Sequence, residues 1–403
     1  MASSAASPKP LAGLKVIDAA TIFAAPFAAT ILADFGATVI KVEMPSKGDP
    51  LRAMGRAKDQ IPLWWKVYAR NKLCMTLDLR MEEGQRVLRE LVRDADVLIE
   101  NFRPGVMESW NLGWEALHEL NPSLTMLRVS GFGRTGHYSG KPGFGTLIEG
   151  MSGFAMLNGQ PDGPPTVAPM AVGDCIAGLY GAVGVLTALL ARANGVASGQ
   201  CVDVSLLDSL FSILGYQVAE FDQLGVVMER TGNRSASSVP RNIYKTRDGK
   251  WLTVSSSTNK LSLRVLRMIG GEELACDERF VTADARRRHG DLLDQMVASW
   301  VVQRDLTEAL DAFERHDAAA APAYDIRQIF ADRQFTETGT MIRIDDEELG
   351  QVRMPNVVPQ LSATPGSVEF AGRRLGRDTI DVLRAHTSLS EQQIAELTRL
   401  GVI

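Results

Sequence analysis

Asp174 is the residue of this chain whose surroundings most strongly invite chemistry. It stands in Val172-Gly173-Asp174-Cys175, and from Cys175 to Ala193 the only charged residue is Arg192. An aspartate that caps a helix accepts hydrogen bonds from free amides and adds about 0.5 to 2 kcal/mol of stability. A poorly hydrated carboxylate is also more reactive toward a bound electrophile. The local sequence leaves both interpretations open, a helix cap or a nucleophile.

Metal and dinucleotide chemistry find little support in the spacing of residues. The histidines show no HExxH or other paired-ligand spacing; they are His118, His137, His289, His316 and His386. Glu43 ends a predicted strand where an acidic residue could bind a ribose, but residues 18–26 after the first strand contain no GxGxxG and no Walker glycines. We therefore expect no metal and no tightly bound cofactor.

Three short segments could contact a ligand. Residues 130–133 and 140–145 are rich in glycine, which lets the backbone approach a ligand or another chain closely, although plain turns have the same composition. Residues 100–105, Glu-Asn-Phe-Arg-Pro-Gly, follow a predicted buried strand and offer amide and cationic donors. Open α/β sheets bind ligands at this edge, beyond the carboxyl ends of their strands.

These segments need a scaffold, and the first third of the chain alternates strand and helix patterns. Apolar runs predict strands at Leu14–Ile17, Thr38–Val42, Val97–Ile99 and Leu124–Val129. Helical patterns fall between them, at Pro26–Phe35 and Met81–Arg93. We predict an α/β fold whose large domain has a Rossmann-like parallel sheet covered by helices on both faces.

A chain of 403 residues exceeds the roughly 250 to 300 at which single cores stop growing, so a second domain is expected. Two strand-like runs flank Asp248-Gly249 within residues 242–254, which is a strong hairpin signal. A helix is predicted from Val204 to Gln223. We predict a large domain at residues 1–225, a smaller α+β domain at 226–325, and a return to the large domain at 326–403.

The composition of the chain indicates which kinds of binding partner and which cellular compartment to expect. The net charge of −5 and the absence of a basic run give no pull toward nucleic acid. The four cysteines are far apart, which fits a reducing, cytoplasmic compartment, and Met1–Pro10 resembles a loose tail rather than a signal peptide. Residues 171–193 are long and apolar, but Asp174 and several glycines favour a buried helix over a membrane span.

Taken together, the motifs resemble the family III CoA-transferases, which include formyl-CoA transferase and carnitine CoA-transferase. The resemblance covers nearly the whole chain, and its specificity comes from the order and spacing of its pieces. These pieces are residues 11–18, residues 32–43 with Gly48-Asp49 and Arg52, Asn71-Lys72, residues 77–79, residues 100–105, Gly163-Pro164-Pro165, Gly173-Asp174 with Gly178, Gly199-Gln200 and Leu375-Gly376-Arg377.

The resemblance implies that Asp174 is the nucleophile, since the aspartate of the matching Gly-Asp pair has this role in the family. Its carboxylate would attack an acyl-CoA thioester and form an aspartyl-acyl anhydride, and CoA would then form an aspartyl-CoA thioester. It also implies a homodimer with interlocked chains. Acyl-CoA and a small carboxylic acid would be the substrates.

The family pattern assigns the CoA-binding residues to three places in the chain. The first loop contributes Ile22, Phe23 and Ala24, and the segment after the third predicted strand contributes Asn101, Phe102 and Arg103. The remaining assignments are Met44, Leu77 and Arg80. Arg80 is the best charge for a phosphate, although most arginines are simply solvated.

Departures from the family pattern narrow the expected reaction. Phe23, Met44 and Ser109 replace a glutamine and two arginines of formyl-CoA transferase, and residues 230–240 hold no tetraglycine loop, which counts against oxalate. Related acyl-CoA racemases carry a His-Asp pair where this chain has Gly143-Phe144-Gly145-Thr146, so a base for α-proton abstraction is missing.

We therefore expect a CoA-transferase with succinyl-CoA as donor and a small dicarboxylate-like or sulfinate-bearing acid as acceptor. The basic residues Arg230, Arg234, Arg241 and Lys245 could hold the distal carboxylate, or they could belong to a solvated loop. The alternatives are an acyl-CoA racemase or isomerase of the same family and a non-catalytic CoA-binding protein.

Overall fold

The structure is a computed structural model that describes residues 9–235 and 237–403. The tail predicted at Met1–Pro10 therefore lies almost entirely outside the described residues, as does Ala236. In chain order the strands are β1 (Lys15–Asp18), β2 (Thr38–Glu43), β3 (Ala57–Lys58), β4 (Ile61–Pro62), β5 (Lys72–Thr76), β6 (Val97–Glu100), β7 (Thr125–Ser130), β8 (Gln200–Ser205), β9 (Arg241–Lys245), β10 (Trp251–Ser255), β11 (Ala320–Pro322), β12 (Met341–Asp346) and β13 (Gly350–Pro355).

Most helices of the first half lie between these strands, and a 3-10 turn spans Pro50–Ala53. The helices are α1 (Ala24–Asp34), α2 (Leu63–Tyr68), α3 (Glu82–Val92), α4 (Val106–Ser109), α5 (Trp114–Leu120), α6 (Gly145–Met151), α7 (Phe154–Leu157), α8 (Val172–Ala193), α9 (Leu206–Ser212), α10 (Gly215–Leu224), α11 (Asn259–Ala275, interrupted at Gly270 and Gly271), α12 (Ala283–Arg288), α13 (Gly290–Val301), α14 (Leu306–Arg315), α15 (Ile326–Ala331), α16 (Arg333–Glu337), α17 (Thr379–His386) and α18 (Glu391–Arg399).

The main sheet confirms the predicted α/β class. Within the described part of the chain it has six strands in the order β5-β2-β1-β6-β7-β8, and every neighbouring pair is parallel. The strands predicted in the first third are β1, β2, β6 and β7. The edge strands β5 and β8 were not predicted. In β8, Gln200 and Asp203 interrupt the apolar residues, so the strand contains no continuous apolar run.

The predicted helix from Val204 to Gln223 is wrong in its first part. Val204 belongs to β8, and Ser205 ends the strand and caps α9 by accepting a hydrogen bond from the amide of Asp208. A break between Ser212 and Gly215 then separates α9 from α10. Ser at an N-cap satisfies an amide that a continuing helix would have used, so strand and helix meet at this residue.

Helices cover the main sheet on both faces, as predicted. On one face, Leu88 of α3, Leu117 of α5 and Leu383 of α17 are buried against the strand residue Leu98. On the other face, α1 and α8 supply mostly small residues, and these pack on Leu127 of β7 together with neighbouring strand residues. Small side chains allow α1 and α8 to approach each other and the sheet closely.

Helix α8 is buried on one face only, so the expectation of a buried helix is correct for the face that carries its small residues and wrong for the opposite face. A Cβ on Gly178 would lie 2.5 Å from the carbonyl oxygen of Ala24, so glycine is required where α8 crosses α1. The opposite face exposes large apolar side chains, including Val183 and Leu190, which are 59% and 60% exposed. By length and composition alone, α8 is also apolar enough to cross a membrane.

The chain divides into two compact units. The first comprises the described residues up to Phe154, Val167–Ala219 and Gly339–Ile403, and the second comprises Ala155–Thr166 and Glu220–Thr338. In the second unit β9 and β10 form the predicted hairpin, β11 pairs with β10, and helices α11 to α14 enclose a separate core. The domain boundaries at 225/226 and 325/326 stay a prediction.

Candidate active site

A cavity of about 930 Å³ opens in the first unit at the carboxyl ends of β1, β6 and β7. Its walls come from the loops after these strands, from residues 139–146, from residues 168–171 and from the start of α8. Pockets of 300 to 1,000 Å³ are typical of sites for small molecules and cofactors. The cavity therefore lies where a parallel sheet was expected to bind its ligand.

Asp174 lines this cavity from the first turn of α8. The interpretation of Asp174 as a cap is wrong, because the N-cap residue is Ala171 and no side chain caps the helix. Among the described residues, no lysine or arginine forms an ion pair with Asp174, which lies in the first turn of α8 at the positive end of the helix dipole. A carboxylate in this position is available to a ligand.

Burial in this wall is the main cause that raises the pKa of Asp174 to about 6, and the negative charge of Glu149 contributes to the same rise. The carboxylate packs against Gly145, the first residue of α6, where a Cβ would lie 2.1 Å from Oδ2. Asp174 is thus half desolvated, close to a second carboxyl group and fitted against bare backbone. Loss of hydration makes such a carboxylate a stronger nucleophile.

Glu149 is a cavity residue that the sequence interpretation missed. Its side chain is buried, and Oε2 accepts a hydrogen bond of 2.7 Å from the amide of Ala168. This bond connects α6 to the segment 168–171, which leads directly into α8 and Asp174. A glutamate in a seven-residue helix has the appearance of a solvated residue, so the sequence offers no local signal for this role.

The loop between β1 and α1 forms another wall. Ile22, Phe23 and Ala24 all line the cavity, as the sequence resemblance predicts. The Phe23 ring packs edge-on to Tyr68 at 5.0 Å between ring centroids and tilted to Trp64 at 5.8 Å. Both Trp64 and Tyr68 also line the cavity, so this side offers an aromatic surface suited to an apolar or planar group.

Asn101, Phe102 and Arg103 also lie at the cavity. The Asn101 amide is directed at the backbone, because it accepts from Thr21 N–H and donates to Thr21 C=O, both at 2.8 Å. Phe102 packs edge-on to Trp110 at 5.2 Å, and its amide donates to Glu100 at 2.7 Å. Arg103 is exposed and has no ion pair among the described residues, so its guanidinium is free to meet an anion.

Three predicted binding residues lie elsewhere. Met44, Leu77 and Arg80 are absent from the described cavity lining. Leu77 is buried in the core on one face of the main sheet. The Arg80 guanidinium pairs with Asp78 at 2.6 Å. The structure thus brings together the residues of two predicted segments and Asp174, but it does not bring these three to the same wall.

The basic residues proposed to hold a distal carboxylate belong to the second unit, and at least two have partners there. Arg230 donates to backbone carbonyls, including that of Gly163 at 2.9 Å. Arg234 pairs with Asp291 and, at 2.9 Å, with Asp294.

Lys141 is a cation that lines the cavity of the first unit, and its ammonium nitrogen lies 4.0 Å from the Tyr138 ring centroid. The glycine-rich context of Lys141 was visible in the sequence, but its side chain was not singled out.

The arrangement can support acyl transfer to a carboxylate. It provides a half-buried carboxylate, an apolar and aromatic surface, exposed cations and glycine-bearing loops whose amides could stabilise an oxyanion. Among the described residues that line the cavity there is no histidine, so an imidazole base for proton abstraction is not available there.

A family model, relatives in sequence and a solved structure all relate this chain to one family of proteins. Residues 11–379 match the model of CoA-transferase family III. The chain is 40% identical over 402 residues to succinyl-CoA–D-citramalate CoA-transferase of Chloroflexus aurantiacus, and the aligned region covers 100% of each of the two chains. It is also 40% identical over 398 residues to the beta subunit of succinyl-CoA–L-malate CoA-transferase of the same organism, covering 98% of each. Among solved structures it resembles a CAIB/BAIF family protein from Brucella suis, with a TM-score of 0.83, 31% identity and coverage of 94% of this chain and 99% of the other.

Proposed function

This chain belongs to CoA-transferase family III, and we propose that it moves CoA from succinyl-CoA to a small dicarboxylic acid with Asp174 as nucleophile. The observation that carries the proposal is the half-buried Asp174 carboxylate, unpaired by any described cation and seated against Gly145 in the wall of the cavity. Such a group can attack a bound thioester because it has lost part of its hydration.

The names of two relatives support the choice of acids. Succinyl-CoA is the donor in both names, and the acceptors, citramalate and malate, are small hydroxylated dicarboxylic acids. We extend this donor and this class of acceptor to the present chain. A sulfinate analogue of a dicarboxylate remains a second acceptor to be tested, since it has the same two anionic ends.

The proposed reaction keeps all atoms and electrons in balance. Asp174 attacks the succinyl carbonyl carbon, the C–S bond breaks, and CoA leaves as a thiolate while a succinyl-aspartyl anhydride forms. The thiolate attacks the Asp174 carbonyl, which releases succinate and leaves an aspartyl-CoA thioester. The acceptor carboxylate displaces the thiolate to form a second anhydride, and the thiolate then takes the acceptor acyl group and regenerates Asp174. No net proton and no redox equivalent is consumed.

The other residues of the cavity have supporting roles in this proposal. Arg103 and Lys141 provide positive charge for the phosphates of CoA or for the free carboxylate of an acid. The aromatic surface of Trp64 and Tyr68 excludes water from the anhydride, which water would otherwise hydrolyse. Met44, Leu77 and Arg80 stay predicted CoA contacts.

The test is to trap the covalent intermediate. Incubation with succinyl-CoA followed by hydroxylamine converts an activated aspartate to a hydroxamate, which mass spectrometry can locate at Asp174. Asp174→Asn should show no modification and no transfer, whereas Asp381→Asn, at an exposed aspartate of α17, should behave as the parent protein. Absence of the hydroxamate in an active preparation would exclude the mechanism. A panel of acceptor acids then identifies the second substrate.

The same preparation distinguishes the alternatives. A racemase or isomerase would introduce solvent deuterium at the α-carbon of an acyl-CoA without an acceptor acid, and a transferase would not. A non-catalytic CoA-binding protein would bind CoA but would give no transfer that Asp174→Ala could abolish.

We also propose that the protein is an interlocked homodimer in the cytoplasm. The exposed apolar face of α8, formed by Leu179, Val183, Leu186 and Leu190, supports association, since apolar patches of this kind seldom stay uncovered. Light scattering of the purified protein should give a dimeric mass, and Val183→Asp should lower it. Binding of the parent protein to liposomes as a monomer would instead favour the membrane interpretation of α8. Cell fractionation tests the compartment.

A further inference from the structure

Ile22 adopts a backbone conformation that β-branched residues avoid. Its φ is 68°, in the left-handed region, where the Cβ comes too close to the following carbonyl. It lies in the loop between β1 and α1 and lines the cavity. Strained residues persist only where the surrounding structure imposes the conformation, and such residues are concentrated at functional sites. The contacts that impose this conformation on Ile22 can be identified.

The Asp49 carboxylate accepts a hydrogen bond from the backbone amide of Ile22. Its Oδ1 accepts a hydrogen bond of 3.0 Å from the Ile22 amide, and Oδ2 lies 3.2 Å from the same nitrogen. Oδ1 also accepts from the amide of Leu51 at 2.8 Å, which fixes the aspartate in its own turn. The side chain of Asp49 is 1% exposed, so water cannot replace these bonds. Removal of the carboxylate would leave the Ile22 amide without its acceptor.

Buried lysines hold the rest of the same loop. Lys41 pairs with Asp49 at 2.9 Å and donates to the carbonyl of Ala20. Lys72 pairs with Asp18 at 2.8 Å and donates to the carbonyl of Pro26 at 2.6 Å. These charged residues were part of the sequence resemblance, but the proposed chemistry does not use them. In each pair the two charges neutralise each other, and the lysine also donates a hydrogen bond to a backbone carbonyl on one side of Ile22, at Ala20 or at Pro26.

The conformation of Ile22 is transmitted to the wall that carries Asp174. Ile22 is followed by the N-cap residue Phe23 and by Ala24, the first residue of α1. The carbonyl of Ala24 is in close contact with Gly178, one turn after Asp174 in α8. The loop conformation thus sets the start of α1, and the start of α1 sets how closely α8 can approach.

We propose that Asp49 is a positioning residue: by accepting the Ile22 amide it imposes the left-handed conformation of Ile22 and so shapes the CoA-binding wall beside α8. The inference rests on CoA transfer by this family member and not on the identity of the acids or on the anhydride. Asp49 does not touch the substrate. Its contribution is to keep a strained loop in the conformation that binds CoA.

The test is a double-mutant cycle between Asp49 and Ile22. The dissociation constant of CoA, measured by calorimetry, and the KM and kcat for succinyl-CoA are determined for Asp49→Ala, Ile22→Gly and the double variant. Asp49→Ala alone should weaken CoA binding by about tenfold, as expected when the hydrogen bond that fixes the Ile22 amide is lost. The bonds of Asp49 to Leu51 and Lys41 are lost as well, but that loss is common to both backgrounds. In the Ile22→Gly background, Asp49→Ala should weaken CoA binding by less than about threefold, because glycine adopts positive φ without strain.

A conservative variant and a matched control separate this role from general stability. Asp49→Asn keeps an oxygen that can accept the Ile22 amide, so it should bind CoA much better than Asp49→Ala. Asp34 is a similarly buried aspartate that pairs with Arg70 at 2.7 Å, away from the loop. Asp34→Ala should lower the urea midpoint of unfolding but leave the KM for succinyl-CoA unchanged.

Equal losses of CoA affinity from Asp49→Ala in the two backgrounds would overturn the proposal. If Asp49→Ala does not fold, urea unfolding of Ile22→Gly and Ile22→Ala decides the premise. Ile22→Gly should be the more stable of the two, because alanine retains the Cβ that opposes positive φ. A less stable Ile22→Gly would mean that there is no strain for Asp49 to hold, and the proposal would fail. A missing hydroxamate at Asp174 would refute the mechanism above and leave this result intact.

Discussion

The Asp174 carboxylate lies in the space that a side chain at residue 145 would occupy, so the glycine at that position and the aspartate in α8 fit each other. A Cβ on Gly145 would lie 2.1 Å from Asp174 Oδ2. Gly145 begins α6 and Asp174 lies in the first turn of α8, so the contact joins two helices at the cavity. The position of the Asp174 carboxylate therefore depends on the absence of a side chain at residue 145.

Gly145→Ala should reduce kcat by about a hundredfold or more, because the added methyl group displaces the carboxylate, and small errors in position are costly in catalysis. Its backbone φ does not forbid alanine, so folding should persist. Gly150→Ala provides the control, since it lies in the same helix with no atom within 4 Å of its Cβ. Steady-state transfer assays check both. Equal activity of the two variants would show that Asp174 tolerates displacement.

The activity should fall as the pH decreases through about 6, because burial and the charge of Glu149 raise the pKa of Asp174 to that value and only the carboxylate is nucleophilic. Glu149→Gln removes one cause of the raised pKa, so the inflection should move to lower pH. The measurement is kcat/KM for succinyl-CoA between about pH 4.5 and about pH 8, a range that brackets the Asp174 pKa of about 6. An inflection that stays in place in Glu149→Gln would argue against electrostatic contact between the two carboxyl groups.

The same raised pKa predicts how stability depends on pH. The folded protein holds the Asp174 proton more tightly than the unfolded chain does, so stability is fully present below the unfolded value of 3.8 and is lost as the pH rises through about 6. Asp174→Asn lacks this loss. Relative to the parent, its free energy of unfolding should rise by on the order of 3 kcal/mol between acid and neutral pH, since the pKa rises from 3.8 to about 6 and one pKa unit corresponds to about 1.4 kcal/mol. Urea titrations at several pH values measure the difference, and a flat difference would contradict the prediction.

Asn101→Ala should weaken CoA binding, because its side chain makes two hydrogen bonds to the Thr21 backbone and so joins two loops of the cavity. Loss of both bonds leaves a donor and an acceptor unsatisfied, at a cost of about 1 to 3 kcal/mol. Asn101→Asp retains an oxygen that accepts the Thr21 amide, so it should weaken CoA binding less than Asn101→Ala does. Calorimetric CoA titration ranks the three proteins. If Asn101→Ala binds CoA as the parent does, the bridge has no part in binding.

Arg103→Ala should raise the KM for succinyl-CoA by about tenfold, since Arg103 lines the cavity and has no ion pair among the described residues. Arg80→Ala is the informative comparison, because Arg80 is engaged with Asp78 and lies outside the described cavity lining. A larger effect from Arg80→Ala would support its predicted contact with CoA. The effect of Arg103→Ala should shrink at high salt, as expected for a charge that meets a phosphate.

Much of the scaffold could be predicted from local pattern. Apolar runs located β1, β2, β6 and β7, and a turn at Asp248-Gly249 located the hairpin of β9 and β10. These signals are local, because side-chain periodicity and turn chemistry depend on residues close in sequence. Edge strand β8 gave no such signal: its last two residues, Val204 and Ser205, lead directly into the apolar pattern of α9, and the Ser205 cap divides strand from helix.

The sequence by itself determined the α/β class, the edge of the sheet at which the cavity opens, and Asp174 as the residue to test. Only the tertiary structure decided that Gly145 faces Asp174, that Glu149 is buried beside it, and that Asp49 holds Ile22. These contacts join residues from separate elements of the first unit. Their existence depends on how α1, α6 and α8 pack on the sheet, and no periodicity along the chain records which side chain will face a given backbone atom across such a contact.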